Sequence, residues 1–321
     1  MREFHKDILK IDCEAEVARI AEFINEQLQS MRRDGAVIGI SGGVDSALAS
    51  ELLIRALGQE KVFGLILPEK ESNIVSKVFA TKQAQKLGIE TETVDITPAL
   101  DGLDTYNKRD GFVKEVFPEY DPSYRMKITL PPDLLDRDAF NVFTLTIDDG
   151  KGNQKSARLN KEVLNGIVAA SNTKQRTRMV YLYYYAEKMN YIVCGTTNRS
   201  ETIQGFFVKY GDGGVDIEPL AHLYKIQVYQ LSEHLGVVKE IINRPPSPDT
   251  YTYEVSDEEF FFRMPFDTLD HLLYAWENNV PVENVCSVMD LKEEQVIRAF
   301  RDFSSKAKTT EYSRNMPPSL F

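Results

Sequence analysis

Ser41-Gly42-Gly43-Val44-Asp45-Ser46 is a stretch of this 321-residue chain whose residue types suit chemistry on an anion. Two adjacent glycines let the backbone turn sharply with its amides exposed, and Ser41 and Ser46 add hydroxyl donors. The apolar residues that follow read as a helix, whose positive end and unpaired amides point into the same space. Several donors then converge on one negative group, as a phosphate requires. Asp45 is the odd member, because a carboxylate beside a phosphate nest repels its ligand unless a cation lies between them. We read it as a Mg²⁺ ligand. The loop lacks the lysine of Gly-x-x-x-x-Gly-Lys-Ser/Thr and is not Gly-x-Gly-x-x-Gly, so neither common nucleotide motif accounts for it. Ser-Gly-Gly alone would be an ordinary turn and Asp45 an ordinary first-turn acid. All six residues behind a buried strand favour the anion site.

The elements that must hold this loop follow from periodicity. Ala36 to Ile40 is a short apolar run, preceded by the turn Asp34-Gly35 and followed by helical spacing through Ala47, Leu48, Leu52, Leu53 and Leu57. Upstream, Val17, Ile20, Ala21, Ile24 and Leu28 mark an amphipathic helix over 14–33. Downstream, 61–68 reads as a second strand, Asn73 to Leu87 as a helix closed by Gly88, and Glu90 to Ile96 as a third strand. Strands alternating with helices predict a doubly wound parallel α/β sheet, Rossmann-like, with its ligand crevice at the carboxyl ends of the strands. Glu69 to Ser72 then lie on the same rim as the loop; Ser72 and Asn73 read more simply as helix caps.

From Asp101 to about Asn165 the rhythm changes. Tyr, Pro and Asp are frequent, and Phe140 to Ile147 alternates before Asp148-Asp149-Gly150, which predicts a strand entering a hairpin turn. We expect an insertion at about 102–165 in an α/β domain spanning 1–265, either a flap over the site or a dimerisation arm. The α/β pattern resumes with a helix from Asn172 and a strand over 191–195, followed at its carboxyl end by Thr196-Thr197-Asn198-Arg199-Ser200-Glu201. Residues 266–321 read as a helical C-terminal part packed on the core. Its Leu291 to Val296 portion resembles a helix-turn-helix, without the basic face that DNA reading would need.

Ser41 to Ser46 resembles the pyrophosphate loop of the N-type ATP pyrophosphatases. Gly195 to Glu201, then Gly205-Phe206-Phe207-Val208-Lys209-Tyr210-Gly211-Asp212-Gly213-Gly214-Val215-Asp216-Ile217-Glu218-Pro219-Leu220 and Leu223 to Gln227, resemble the core of the NAD synthetase family within that group. The resemblance implies adenylation of the carboxylate of deamido-NAD by ATP and displacement of AMP by ammonia. It implies ATP contacts at Ser41, Gly42, Gly43, Val44, Asp45, Ser46, Thr196, Lys225 and Ser247, and a substrate pocket at Arg176, Phe206, Lys209, Asp212 and Asp216. Asp45 and Glu201, both acidic and both at strand ends, could hold Mg²⁺ jointly, and catalysis would rest on Asp45, Lys225 and Asp212. A homodimer is implied as well. Tyr312-Ser313 stand where the family has His-Lys. That leaves two further readings, an amide ligase of the same mechanism on another carboxylate and a nucleotide-binding regulator without turnover.

Composition narrows the partners. With 49 acidic against 38 basic residues, a net charge of −11 argues against a nucleic-acid surface. Cys13, Cys194 and Cys286 show no zinc or redox spacing and read as reduced thiols of a cytoplasmic protein. There is no long apolar run to cross a membrane. His5, His222, His234 and His271 have no metal spacing, and no Cys-His arrangement suggests a covalent nucleophile. Little more than thirty residues precede the first strand, too few for a glutaminase domain. The expectation is free ammonia, or ammonia from an external glutaminase.

Overall fold

The computed structural model of the protein describes residues 3–137 and 141–320. Helix α1 (Cys13–Ser30) starts where the Asp12 side chain accepts from the Ala15 amide, and it buries Ile20, Ile24 and Leu28. Strand β1 (Gly35–Gly39) leads into α2 (Val44–Leu57), whose residues Ser46 to Leu53 are all buried. Strand β2 (Val62–Ile66) is buried throughout. Asn73 caps α3 (Ile74–Leu87) by accepting from the Val75 amide, and Gly88 closes it in the left-handed conformation. Strand β3 (Glu90–Thr93) follows, then α4 (Thr97–Gly102) and α5 (Thr105–Val116). After β4 (Arg125–Thr129), β5 (Thr144–Asp148) and β6 (Gln154–Arg158) come the long α6 (Lys161–Met189), β7 (Tyr191–Cys194) and the short α7 (Arg199–Gln204). The chain ends in α8 (Lys225–His234), α9 (Lys239–Ile242), a π-helical turn over Glu258–Phe262, and α10 (Phe266–Glu277), α11 (Val282–Met289), α12 (Glu293–Thr309) and α13 (Glu311–Arg314).

The main sheet has the order β3-β2-β1-β7, all parallel, with Ala36 opposite both Val62 and Ile192. One face packs Ile24, Ile38, Leu48, Leu52 and Leu231 from α1, β1, α2 and α8; the other packs Val37, Leu65, Val193, Leu100 and Tyr185 with α4 and α6. Burial on both faces explains why the central strands are continuous apolar runs. The doubly wound sheet expected from the sequence is therefore the fold. Because β1 and β7 are neighbours running the same way, the loops at their carboxyl ends share one rim.

Two expectations shift. Helix α6 begins at Lys161 rather than Asn172, because Asn160 caps it by accepting from the Val163 amide at 2.9 Å. The segment between the α/β parts carries a helix beside its strands: α5 supplies Val113 to a core shared with Met126, Ile128, Leu145 and Ile147 of an antiparallel β4-β5-β6 sheet. The alternating run begins at Phe140, which lies outside the described residues; the strand within it starts at Thr144, and the chain reverses over Asp149 to Asn153. In the C-terminal part Leu269, Leu273, Val285, Val296 and Phe303 form one core with Phe4 and Leu9. The helix-turn-helix-like pair thus spends its apolar residues on packing.

Candidate active site

The anion loop is held by its own side chains. The Ser41 amide donates to Ser46 Oγ at 3.2 Å, Ser46 Oγ donates to the Gly43 carbonyl at 3.1 Å, and the two hydroxyls lie 3.0 Å apart. Ser41 Oγ also accepts from the Gly43 amide at 3.2 Å. Gly42 has φ +83°, and a Cβ there would lie 2.3 Å from the Ser76 carbonyl of α3. Only glycine lets the loop press against that helix. Gly43 precedes α2 and has no side chain to cap it, so the amides of Val44, Asp45 and Ser46 have no partner within the helix and remain available to an anion.

A charge cluster stands beside these amides. Lys225, the first residue of α8 and 1% exposed, places Nζ 2.6 Å from Asp45 Oδ2 and 3.3 Å from Glu201 Oε1. Asn198 organises the acids: its Nδ2 donates to Asp45 Oδ1 at 3.0 Å, its Oδ1 accepts from the Glu201 amide at 3.1 Å, and its own amide donates to Glu201 Oε2 at 3.2 Å. The capping box that starts α7 therefore also aims Glu201 at Asp45. Asp257 is buried too, and its Oδ1 has no hydrogen-bond partner.

Burial works against the Lys225 ammonium, but Asp45, Glu201 and Asp257 outweigh it and hold its pKa above the usual lysine range. Burial raises the Glu201 carboxyl, Lys225 opposes this, and Asp45 adds to it; the net shift is upward. Asp257 is pushed up to about 7, by burial first, against the pull of Lys225 and with help from Asp45 and Glu258. Three carboxylates around one ammonium leave the pocket short of positive charge, and oxygen donors at two strand ends suit a hard divalent cation. Among the described residues no group of three or more His, Cys, Asp or Glu could hold a metal ion by itself. A Mg²⁺ ion here would complete its shell with water and phosphate, as that ion ordinarily does.

The remaining residues are distributed unevenly. Thr196 lies two residues beyond the end of β7 and is half-buried. Ser247 lines a cleft of about 220 Å³ with Ser72, Asn73 and Asp249, and its Oγ accepts from the Asp249 amide at 3.3 Å. Arg176 is exposed on α6 and donates to the Lys209 carbonyl at 3.3 Å. The Lys209 ammonium is held by the carbonyls of Tyr312 at 2.8 Å and Asn315 at 3.2 Å, and Asp212 accepts from the Val208 amide at 3.0 Å. Lys209 and Asp212 thus lie on one loop, which Arg176 reaches from α6. Asp216 is instead tied to the sheet edge, accepting from the Val193 amide at 2.7 Å and the Tyr183 hydroxyl at 3.0 Å. The Phe206 ring stacks on Phe261 at 4.9 Å and contacts Phe260 and Phe262, so much of it serves an aromatic cluster.

Sequence reading missed a buried ionic network on the same rim. Lys174, 1% exposed, reaches Glu69 Oε1 at 2.8 Å and Glu71 Oε2 at 2.7 Å. The Tyr106 hydroxyl donates to Glu69 at 2.7 Å, and Arg109 joins Glu71 to Asp110. This clamps the turn after β2 to α5 and α6. A signal existed, since Val163, Ile167, Ala170, Lys174 and Thr177 fall on one helical stripe and put a lysine on its buried side. Asn198 carried one too, in the Asn-x-x-Glu cap.

A parallel sheet whose first strand feeds a lysine-free Gly-Gly loop, with acids from two strand ends meeting beside it, is the arrangement that the resemblance to the N-type ATP pyrophosphatases led us to expect. The NAD synthase family matches residues 16–129 and 139–317. The chain is 43% identical over 309 residues to the NH(3)-dependent NAD(+) synthetase of Rhizobium meliloti (strain 1021), covering 96% of this chain and 92% of that protein. It is 35% identical over 298 residues to the protein of that name from Thermotoga neapolitana, covering 93% of each. Among solved structures, NMN synthetase from Francisella tularensis superposes with a TM-score of 0.66 at 22% identity over 97% of this chain and 99% of that one. The NH3-dependent NAD synthetase from Campylobacter jejuni does so with 0.63 at 23% over 97% and 100%. At those identities the likeness is one of fold. The chain belongs to the NAD synthase family and is an ATP-using ligase.

Proposed function

We propose that the chain amidates deamido-NAD with ammonia through an adenylated carboxylate, releasing pyrophosphate and AMP, and that Asp45, Glu201 and Lys225 manage the triphosphate. The observation that carries this is the Lys225 ammonium lying between Asp45 and Glu201, beside the free amides at the start of α2. ATP would lay its β and γ phosphates on the Ser41–Ser46 loop, with Thr196 and Ser247 at the edges. Asp45 and Glu201 would hold Mg²⁺, which supplies charge neutralisation to the triphosphate. Lys225, already buried and charged, would stabilise the negative charge that develops as pyrophosphate leaves the α-phosphorus.

In the first step a carboxylate oxygen of the substrate forms a bond to the α-phosphorus and the bond to pyrophosphate breaks. In the second, ammonia adds to the acyl carbon, loses a proton and expels AMP. Asp212, at the rim, would orient ammonia, and Arg176, Phe206, Lys209 and Asp216 would contribute to the substrate side. For Lys209 this requires exchanging the carbonyls of Tyr312 and Asn315 for substrate. We further propose a homodimer in a reducing cytoplasm, consistent with three free cysteines, using ammonia in solution or from a separate glutaminase. Among the described residues no helix is long and apolar enough to cross a membrane.

The test is formation of NAD from ATP, Mg²⁺, ammonium and deamido-NAD, followed by mass. Conversion with stoichiometric AMP supports the reading. Pyrophosphate release only with another acid, such as the corresponding mononucleotide, would move the enzyme to a different carboxylate. Silence with every acid would favour a regulator.

A further inference from the structure

Helix α10 carries two carboxylates, Asp270 and Glu277, two turns apart, so that both lie on one stripe. Each bridges the start of α7 to the start of α8. Asp270, 0% exposed, accepts from the Ser200 hydroxyl at 2.6 Å and from the Ile226 amide at 2.8 Å. Ser200 Oγ in turn accepts from the Lys225 amide at 3.2 Å, so one relay runs from the backbone of Lys225 through α7 into α10. At the end of α10, Glu277 accepts from Arg199 Nε at 2.9 Å and from the Tyr224 hydroxyl at 2.5 Å. The pinned residues are the chain neighbours of the charge cluster: Glu201 follows Arg199 and Ser200, and Lys225 stands between Tyr224 and Ile226. The Phe266 ring, at the start of α10, lies 5.4 Å from Lys225 Nζ.

We infer that Asp270 and Glu277 are positioning residues for the adenylation step: through α10 they set the distance between Glu201 and Lys225, and with it the charge that the triphosphate meets. The inference rests on the roles proposed above for Glu201 and Lys225. The two helix starts cannot set that distance themselves. Helix α7 has six residues, too few to hold its direction by its own hydrogen bonds. The segment 205–224 that joins it to α8 carries only turns and one bridge, of Ile217 to Cys194. Lys225 Nζ lies 3.3 Å from Glu201, and parting the helix starts by about 1 Å would take this contact out of hydrogen-bond range. Packing already seats α10, since Leu269, Leu272 and Leu273 are fully buried in the C-terminal core. A buried carboxylate adds a desolvation cost to such packing. What the two acids add in return is a fixed register of α7 against α8.

Asp270→Asn, Glu277→Gln and Ser200→Ala test this in the full-length protein, at a temperature where circular dichroism shows each variant folded. The first two keep the side chain's shape and remove its charge; the third removes only the relay to the Lys225 amide. Misplacing a site group by about 1 Å can cost a hundredfold, so kcat for pyrophosphate release should fall by roughly tenfold to a hundredfold in Asp270→Asn. Calorimetric titration with ATP and Mg²⁺, without the acid, should show affinity weakened by about threefold to tenfold in each variant, the size of one hydrogen bond's net contribution. The KM for ammonium should stay within about twofold of wild type. Leu100→Ala, on the opposite face of the sheet from α8, supplies the comparison: it should lower the melting temperature and leave kcat and ATP affinity unchanged. Wild-type kcat and ATP affinity in folded Asp270→Asn and Glu277→Gln, with only the melting temperature lowered, would overturn the inference while the amidation stands. A wild-type protein that releases no pyrophosphate with any acid would instead remove the roles of Glu201 and Lys225, and the positioning with them.

Discussion

Removing the charge of Lys225 is the most informative perturbation of the fold and site together. Lys225→Met keeps the length of a side chain that is 1% exposed, but leaves Asp45, Glu201 and Asp257 facing one another without their ammonium. Breaking a buried pair by deleting one partner costs about 3–5 kcal/mol. With an unfolding entropy of about 2.1 cal/mol/K per residue, a chain of 321 residues should lose about 4–7 °C in melting temperature. The loss has a pH signature. Glu201 and Asp257 have raised pKa values even with Lys225 present, so in its absence they protonate more readily, and the deficit should be largest near pH 8 and shrink toward pH 6. Adding Glu201→Gln to Lys225→Met removes one of the stranded charges and should recover part of the loss, as should saturating Mg²⁺. Thermal melts at several pH values, paired with the ATP dependence of pyrophosphate release, measure all of this. A variant that melts within a degree or so of wild type at pH 8 and keeps its ATP requirement would show that Lys225 does not hold the acids together.

Gly42→Ala places a Cβ 2.3 Å from the Ser76 carbonyl at a positive φ, so the loop must move; the KM for ATP should rise about tenfold or more, an effect of the size that backbone strain commonly carries. An unchanged KM would mean that the loop does not cradle the nucleotide. Lys174→Met should cost about 3–5 kcal/mol by stranding Glu69, while Arg109 still holds Glu71, and denaturation midpoints indistinguishable from wild type would contradict the proposed clamp. Asp270, fully buried under the Ser200 hydroxyl at 2.6 Å and the Ile226 amide at 2.8 Å, is pushed up to about 7, chiefly by burial. A carboxyl whose folded pKa exceeds its unfolded value gives stability that is complete at low pH and lost as pH rises toward about 7. Asp270→Asn should therefore flatten the pH dependence of stability between about pH 4 and 7, as urea midpoints would report, and an unaltered slope would refute this.

The sheet was legible because its central strands are buried on both faces and therefore unbroken apolar runs, and because Gly42 and Gly88 mark turns that few other residues can make. The meeting of Asp45 with Glu201 was legible only indirectly. Each sits at a strand end, but that β7 lies next to β1 is a matter of topology, which local pattern does not record. The start of α6 was missed because the stretch before Asn172 was read as part of an insertion, although Asn160 already offered a cap. The Lys174 network joins side chains distant in sequence, and a single lysine looks like surface until its place on a buried stripe is noticed. Phe206 and Asp216 carried a motif resemblance, yet their side chains also serve an aromatic cluster and a sheet edge. A motif match cannot separate such duties, because packing and ligand contact draw on the same residue types.

The most direct test of the account is turnover by Asp45→Asn. The variant keeps an acceptor near Asn198 and Lys225 but withdraws the carboxylate from the shared cation position. With ATP, Mg²⁺, ammonium and deamido-NAD, pyrophosphate release should fall by roughly a hundredfold to a thousandfold or more, the scale of a lost transition-state charge contact, while the circular dichroism spectrum of the fold is retained. Near-wild-type turnover in a folded Asp45→Asn protein would contradict the central claim that acids from the ends of β1 and β7 jointly manage the triphosphate.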